Sequence, residues 1–130
     1  MLIRLLRHLE SKRKYQLMIS PFQISAETQM TNFVRTTLGF VEYKEVGQGL
    51  PIFFLHGGHS NCRADLFQKG FDTTNFRLIT PSRPGYGNTP LSVFKTPDEA
   101  AKLMVSLLSY LKIEKVVIVG ISAGGLTAIA

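Results

Sequence analysis

The sequence predicts an α/β fold: a mainly parallel sheet with an amino-terminal β-hairpin and flanking helices. Three observations carry this. The runs "PIFFL", "FRLIT" and "KVVIVG" are apolar and rich in β-branched residues without strict alternation, as strands buried on both faces are. A helix-period stretch lies between the last two of them. Glycine- and proline-rich loops punctuate the rest, so strands alternate with helices in the βαβ manner of a covered parallel sheet.

Taken in order, the first twenty residues, "MLIRLLRHLESKRKYQLMIS", place Leu2, Leu5, Leu6 and Leu9 at helical spacing with Arg4, Arg7 and His8 between them. Two readings follow for this end: a basic amphipathic helix over 1–14 that could touch an anionic membrane weakly, or an ordinary helix or leader. Charges interrupt the apolar run before a signal-peptide core can form, and no stretch approaches the apolar length of a membrane span. Residues 1–30 are therefore set apart as a basic leader or helix, and 31–130 as the α/β domain. "TNFVRTT" and "FVEYKEV", on either side of Gly39, read as the hairpin, and "GQGLP" as a turn. "PIFFLHGG" is a strand running into a glycine loop, and residues 63–70 are expected to form a short helix. "FRLIT" is the next strand, and "PSRPGYGNTP" is a loop.

The helix over 97–112 is the best-marked element. Thr96, Pro97 and Glu99 form a capping box with proline at the first helical position, and Ala100, Leu103, Met104, Leu107, Leu108 and Leu111 share one face. This accounts for Asp98 and Glu99. A strand over Lys115–Val119 follows, and then "SAGGLTAIA" opens a further helix.

Charge and cysteine content exclude several functions. The net charge of +6 suggests nucleic acid only until it is located: five of the fifteen Lys and Arg residues lie within the first fourteen positions, beside one acid, Glu10. No nucleic-acid partner is expected. The single Cys62 allows no internal disulfide and no multi-cysteine metal site, which fits a reducing cytoplasm. No cofactor pattern is present, because "HGGHSN" lacks the spacings of the nucleotide loops, and His56 and His59 have no carboxylate at ligand spacing. No metal is expected either.

The chemistry centres on Gly120-Ile121-Ser122-Ala123-Gly124. A serine between glycines that ends a buried strand and opens a helix has the pattern of a nucleophile elbow. Gly120 and Gly124 are needed where the backbone folds tightly around Ser122, which is held in a strained conformation. The glycines of "HGGHSN" leave backbone N–H groups free to meet a developing oxyanion.

With these elements and their spacing, the chain from about residue 31 onward resembles the amino-terminal half of the α/β-hydrolase superfamily, ending just after the elbow. The resemblance implies Ser122 as nucleophile, with the N–H of Ala123 and that of Gly58 as oxyanion donors and Gly57 as the second choice. His56 is implied to be a structural residue shaping its loop. His59 would line a pocket or lie on the surface. "SRPGYG" is similar to the family's Asp-Arg-Pro-Gly-x-Gly turn, with Ser82 where an acid is common. In this fold the acid and the histidine follow the serine, yet residues 123–130 contain neither. His56 as a substitute base and Cys62 as an alternative nucleophile are weaker readings.

The expectation is a serine hydrolase of small ester, amide or similar acyl substrates, of which this chain is an amino-terminal portion. The alternative is a non-catalytic remnant or interaction module, with self-association through the edge strand Lys115–Val119.

Overall fold

The computed structural model describes residues 30–65 and 68–130. The expectations for residues 1–29, the basic leader and its membrane-facing helix over 1–14, lie outside the described residues. Thr31–Ala130 forms one compact unit.

Five strands and two helices make up the described fold: β1 (Asn32–Arg35), β2 (Phe40–Gly47), β3 (Leu50–Leu55), β4 (Phe76–Pro81), α1 (Pro97–Tyr110), β5 (Val117–Gly120) and α2 (Gly124–Ile129). Their order across the sheet is β1-β2-β4-β3-β5. β1 and β2 form the antiparallel hairpin, turned at Thr36–Gly39, and β2 also runs antiparallel to β4. β4, β3 and β5 are parallel. Four of the five strands therefore point one way, with β2 alone reversed. The crossover from β3 to β4 passes through the segment expected to hold a short helix over 63–70. Residues 66 and 67 lie outside the described set, and the neighbours form single turns, Ala64 N–H to Asn61 O and Gln68 N–H to Asp65 O.

The core follows the pleat. Val41, Tyr43, Phe53, Leu55 and Ile79 face α1, where Leu103, Met104 and Leu107 complete the main cluster. Ile52, Phe54 and Leu78 face the other way and form a smaller one. The helix begins as its sequence dictates: Glu99 N–H donates to Thr96 Oγ1, and Glu99 Oε2 accepts from the N–H of Thr96 and of Lys95. It ends two residues before the expected Lys112. There Lys112 takes φ 57°, and the N–H groups of Lys112 and Ile113 return to Ser109 O and Leu108 O, which closes the last turn.

One strand boundary needs correction. The expected Lys115–Val119 strand runs instead over Val117–Gly120. Its ladder with β3 starts at the Ile52–Val117 pair, one residue past Pro51, which has no N–H to contribute. Among the described residues β5 is one edge strand of the sheet and β1 the other, and Val117 and Ile118 are 48% and 46% exposed.

Candidate active site

The carboxyl-terminal ends of β3, β4 and β5 meet at one rim of the sheet, where ligand sites of open α/β sheets form. The turn from β5 into α2 is the tightest feature there. Ile121 N–H extends the β3 pairing by donating to Leu55 O, and Gly124 N–H closes the turn onto Ile121 O. Ser122, at its apex, is exposed and has φ 51°, a left-handed conformation uncommon for a residue with a Cβ.

The flanking glycines are there for lack of room. A Cβ on Gly120 would lie 2.6 Å from Gly125 Cα and 2.9 Å from Ala128 Cβ. On Gly124 it would lie 2.6 Å from His56 O and closer still to Leu55 O. Both pairs lie well inside contact distance, so the elbow packs backbone against backbone, and Gly124 docks α2 directly on the end of β3.

Opposite the elbow, His56 directly follows β3 and is buried. Its Nε2 lies 2.9 Å from Arg83 N and accepts that N–H, which leaves the proton on Nδ1 to donate to Gly57 O at 2.7 Å. Burial holds the imidazole below its ordinary pKa; the Arg83 charge pushes the same way, and the Gly57 hydrogen bond opposes both. With both ring nitrogens engaged, His56 has no position left from which to accept the Ser122 proton or to bind a metal. Its carbonyl accepts from Arg83 Nε at 2.8 Å, and its ring meets the edge of Tyr86. Gly57 lies close to Ser122, since a Cβ there would fall 3.4 Å from Ser122 Cβ and 4.0 Å from its Oγ. Gly58 faces open space. His59 is exposed with φ 55°, while Cys62 is buried and its thiol is pushed up by that burial. A cavity of about 240 Å³ is lined by His56, Gly57, Gly58, Ser122, Phe54 and Gln68, whose side chain bonds Thr80.

Sequence reasoning missed Glu42. Its fully buried carboxylate stands behind the 82–89 loop and accepts from Arg63 Nη2 (2.8 Å), the Asn88 N–H (2.8 Å), Asn88 Nδ2 (3.0 Å) and Ser82 Oγ (3.0 Å). Burial pushes this carboxyl up, but the Asn88 and Ser82 hydrogen bonds and the Arg63 charge together hold it below the usual range. Among the described residues no group of three His, Cys, Asp or Glu side chains is placed to hold a metal ion, and no helix is long and apolar enough to cross a membrane.

A mostly parallel sheet in this strand order, with a glycine-flanked serine turn at the end of β5, defines an α/β-hydrolase fold. Residues 52–130 match the model of the alpha/beta hydrolase family, and the chain belongs to that family. It is similar to the uncharacterized hydrolase YcgS of Bacillus subtilis (strain 168), 44% identical over 87 residues, which cover 67% of this chain and 31% of that protein. Among solved structures it is similar to an alpha/beta hydrolase fold protein from Nakamurella multipartita, at 33% identity and TM-score 0.67, covering 76% of this chain and 35% of that one. It is also similar to the esterase EaEST from Exiguobacterium antarcticum, at 26% identity and TM-score 0.66, covering 77% of this chain and 38% of that one. The matched region thus spans about a third of the length of these relatives.

Proposed function

We propose that residues 31–130 are the nucleophile-bearing part of a serine hydrolase that cleaves an ester, amide or similar acyl bond of a small molecule through an acyl-enzyme. The observation carrying this is the left-handed, exposed Ser122, presented at a strand-to-helix turn to a cavity edged by Gly57 and Gly58. In this reading the Ser122 hydroxyl attacks the acyl carbon, and the Ala123 N–H is one oxyanion donor. The Gly58 N–H is the other. A trans peptide directs its N–H opposite its C=O, so the hold of His56 on Gly57 O turns the Gly58 N–H away from the imidazole. Gly57 is the second choice. The likeness to an esterase supports an ester as the bond to test first. The base and the acid that orients it would come from residues outside these 130, because His56 is engaged and residues 123–130 hold no titratable partner. The one buried, free cysteine is compatible with a cytoplasmic setting.

A fluorophosphonate probe tests this reading, with the adduct located by mass. An adduct on Ser122 that disappears in Ser122→Ala supports it; an adduct elsewhere, or none at saturating probe, sinks it. Hydrolysis of a p-nitrophenyl ester by the chain alone should be slow, within the residual enhancement of about 10³–10⁴ over water left by a site without its base. Robust turnover abolished by Ser122→Ala would instead place a base among these residues.

The exposed edge of β5 favours a second reading, in which the half-fold serves as an interaction module by strand addition. A mass that stays monomeric by light scattering across a concentration series, and is unaltered by Val117→Lys, would remove self-pairing from that reading.

A further inference from the structure

Glu42 is the only buried carboxylate among the described residues, and it lies on the strand next to the site, not in it. We infer that Glu42 is a positioning residue for the Gly57–Gly58 peptide, acting through the 82–89 loop and His56. The inference rests on the reading of that peptide as part of the oxyanion site.

The connection can be followed atom by atom. Glu42 fastens the loop at both ends. At the start, Ser82 Oγ donates to Oε2 and Ser82 N–H donates to Glu42 O at 2.8 Å. At the finish, the Asn88 N–H reaches Oε2, Asn88 Nδ2 reaches Oε1, and the Glu42 N–H donates to Thr89 Oγ1 at 3.0 Å. Arg63 and Thr31 supply further donors to Oε1, so five groups converge on one carboxylate. Between the fastened ends the loop closes on itself through Tyr86 N–H to Arg83 O and Gly85 N–H to Thr89 O. What that closed loop presents is Arg83. Its N–H holds His56 Nε2, its Nε holds His56 O, and its guanidinium stacks over Tyr86. His56 then holds Gly57 O.

The charge matters as well as the shape, because every partner of the carboxylate is a donor. Glutamine at 42 is isosteric but turns an N–H₂ group toward donors. The cage could take its charge from the neighbouring side: Ser82 Oγ accepts the Cys62 N–H at 3.0 Å and touches the Glu42 oxygen, so an aspartate at 82 would meet some of the same donors.

The test uses the full chain labelled with ¹⁵N at His and Gly, and reads the His56 ring nitrogens and the Gly57 and Gly58 amides by NMR, together with the thermal midpoint. The native chain should show His56 as a single Nδ1-protonated neutral tautomer. In Glu42→Gln that signature should give way to mixed tautomers, with both glycine amides shifted. In Glu42→Gln/Ser82→Asp it should return, with a midpoint above that of either single variant. Ser106→Ala removes a buried hydroxyl that bonds Thr36 on the α1 side of the sheet, and should lower the midpoint without moving His56. If Glu42→Gln does not fold, Asn88→Ala, which removes one side-chain donor, should shift the same signals in the same direction.

Unchanged His56 and glycine signals in a folded Glu42 or Asn88 variant would overturn the inference. So would a double variant no better than the sum of the singles, or a Ser106→Ala variant that moves His56 equally. None of these signals requires reaction at Ser122. Failure of the probe to label Ser122 would count against the hydrolase reading alone, and failure here would leave Ser122 labelling intact.

Discussion

Two tight turns bear on the site, the elbow by lining the cavity and the 82–89 loop by holding His56, and they are held by opposite means. The elbow after β5 is held by what is missing: Gly120 and Gly124 bring backbone against backbone at distances that a single methyl group would violate. The 82–89 loop is held by what is present, one buried charge with donors gathered from three stretches of chain. The first turn is fixed by steric fit, within itself at Gly120 and against the end of β3 at Gly124, and cannot accept atoms. The second is fixed by long-range electrostatics and cannot lose them. At Gly87, within the loop, the two kinds of constraint combine, since it has φ 52° and a Cβ there would lie 2.6 Å from Ser82 Oγ and nearer still to the Glu42 carboxylate.

The largest effect is expected from Gly124→Ala. Its methyl would meet the carbonyl oxygens of Leu55 and His56, and neither can swing aside as a side chain can. We expect a cost above about 3 kcal/mol, beyond the usual range for overpacking, seen in urea unfolding as a lowered midpoint or a failure to fold. A cost under about 1 kcal/mol would mean the elbow is slack and the contrast with the loop is false.

Glu42→Ala comes next, at about 2–3 kcal/mol, because the Asn88 N–H and the Ser82 hydroxyl are left buried without an acceptor. The elbow should be untouched, so Ser122 labelling by the probe should fall less than stability does if the two turns are independent. An equal fall in both would show that they act as one unit.

Acid sharpens the same contrast. The folded pKa values of Glu42 and His56 both lie below their ordinary values of 4.5 and 6.5, so the unfolded chain takes up each proton first. The stability contributed by these two groups is present above pH 6.5. It should decline as pH falls toward the folded value of His56, and decline again below pH 4.5 toward that of Glu42. Thermal midpoints measured across that range should show both declines, and Glu42→Gln should shrink the lower one, leaving the share of Asp72 and Glu99, which are also held below their ordinary values. A lower decline unchanged in Glu42→Gln would assign it to other carboxylates.

The smallest effect belongs to neither turn. Thr96→Ala removes the capping-box acceptor of α1 at an exposed site and should cost about 1 kcal/mol, read by chemical denaturation. It calibrates the two larger changes against an ordinary local contact.

The elbow, the hairpin and the helix cap were legible in the sequence because each is specified by residues within a few positions of one another. The Glu42 cage was not. In "FVEYKEV" an acid and a lysine alternate with apolar residues, and that pattern reads as a solvent-facing side. In the fold, Glu42 and Lys44 are both buried, on the face opposite Val41 and Tyr43, and the cover over Glu42 comes from Arg63, Ser82 and Asn88, which lie 21, 40 and 46 positions away. The one visible signal was Ser82, a neutral residue where the resemblance drawn from the sequence implies that an acid is common. The two-residue error at the start of β5 has a similar origin, because the ladder is set by Pro51 on another strand.

The flank of β5 that pairs with no strand among the described residues has a geometric consequence for the chemistry. The strand ends at Gly120, two residues before Ser122, and its other flank is already occupied by β3. Any strand that joined it in parallel would run toward the same rim and release its chain beside the serine. The open edge thus also fixes a delivery point: residues arriving on the far side of the elbow from His56 would reach Ser122 by extending the sheet by one strand.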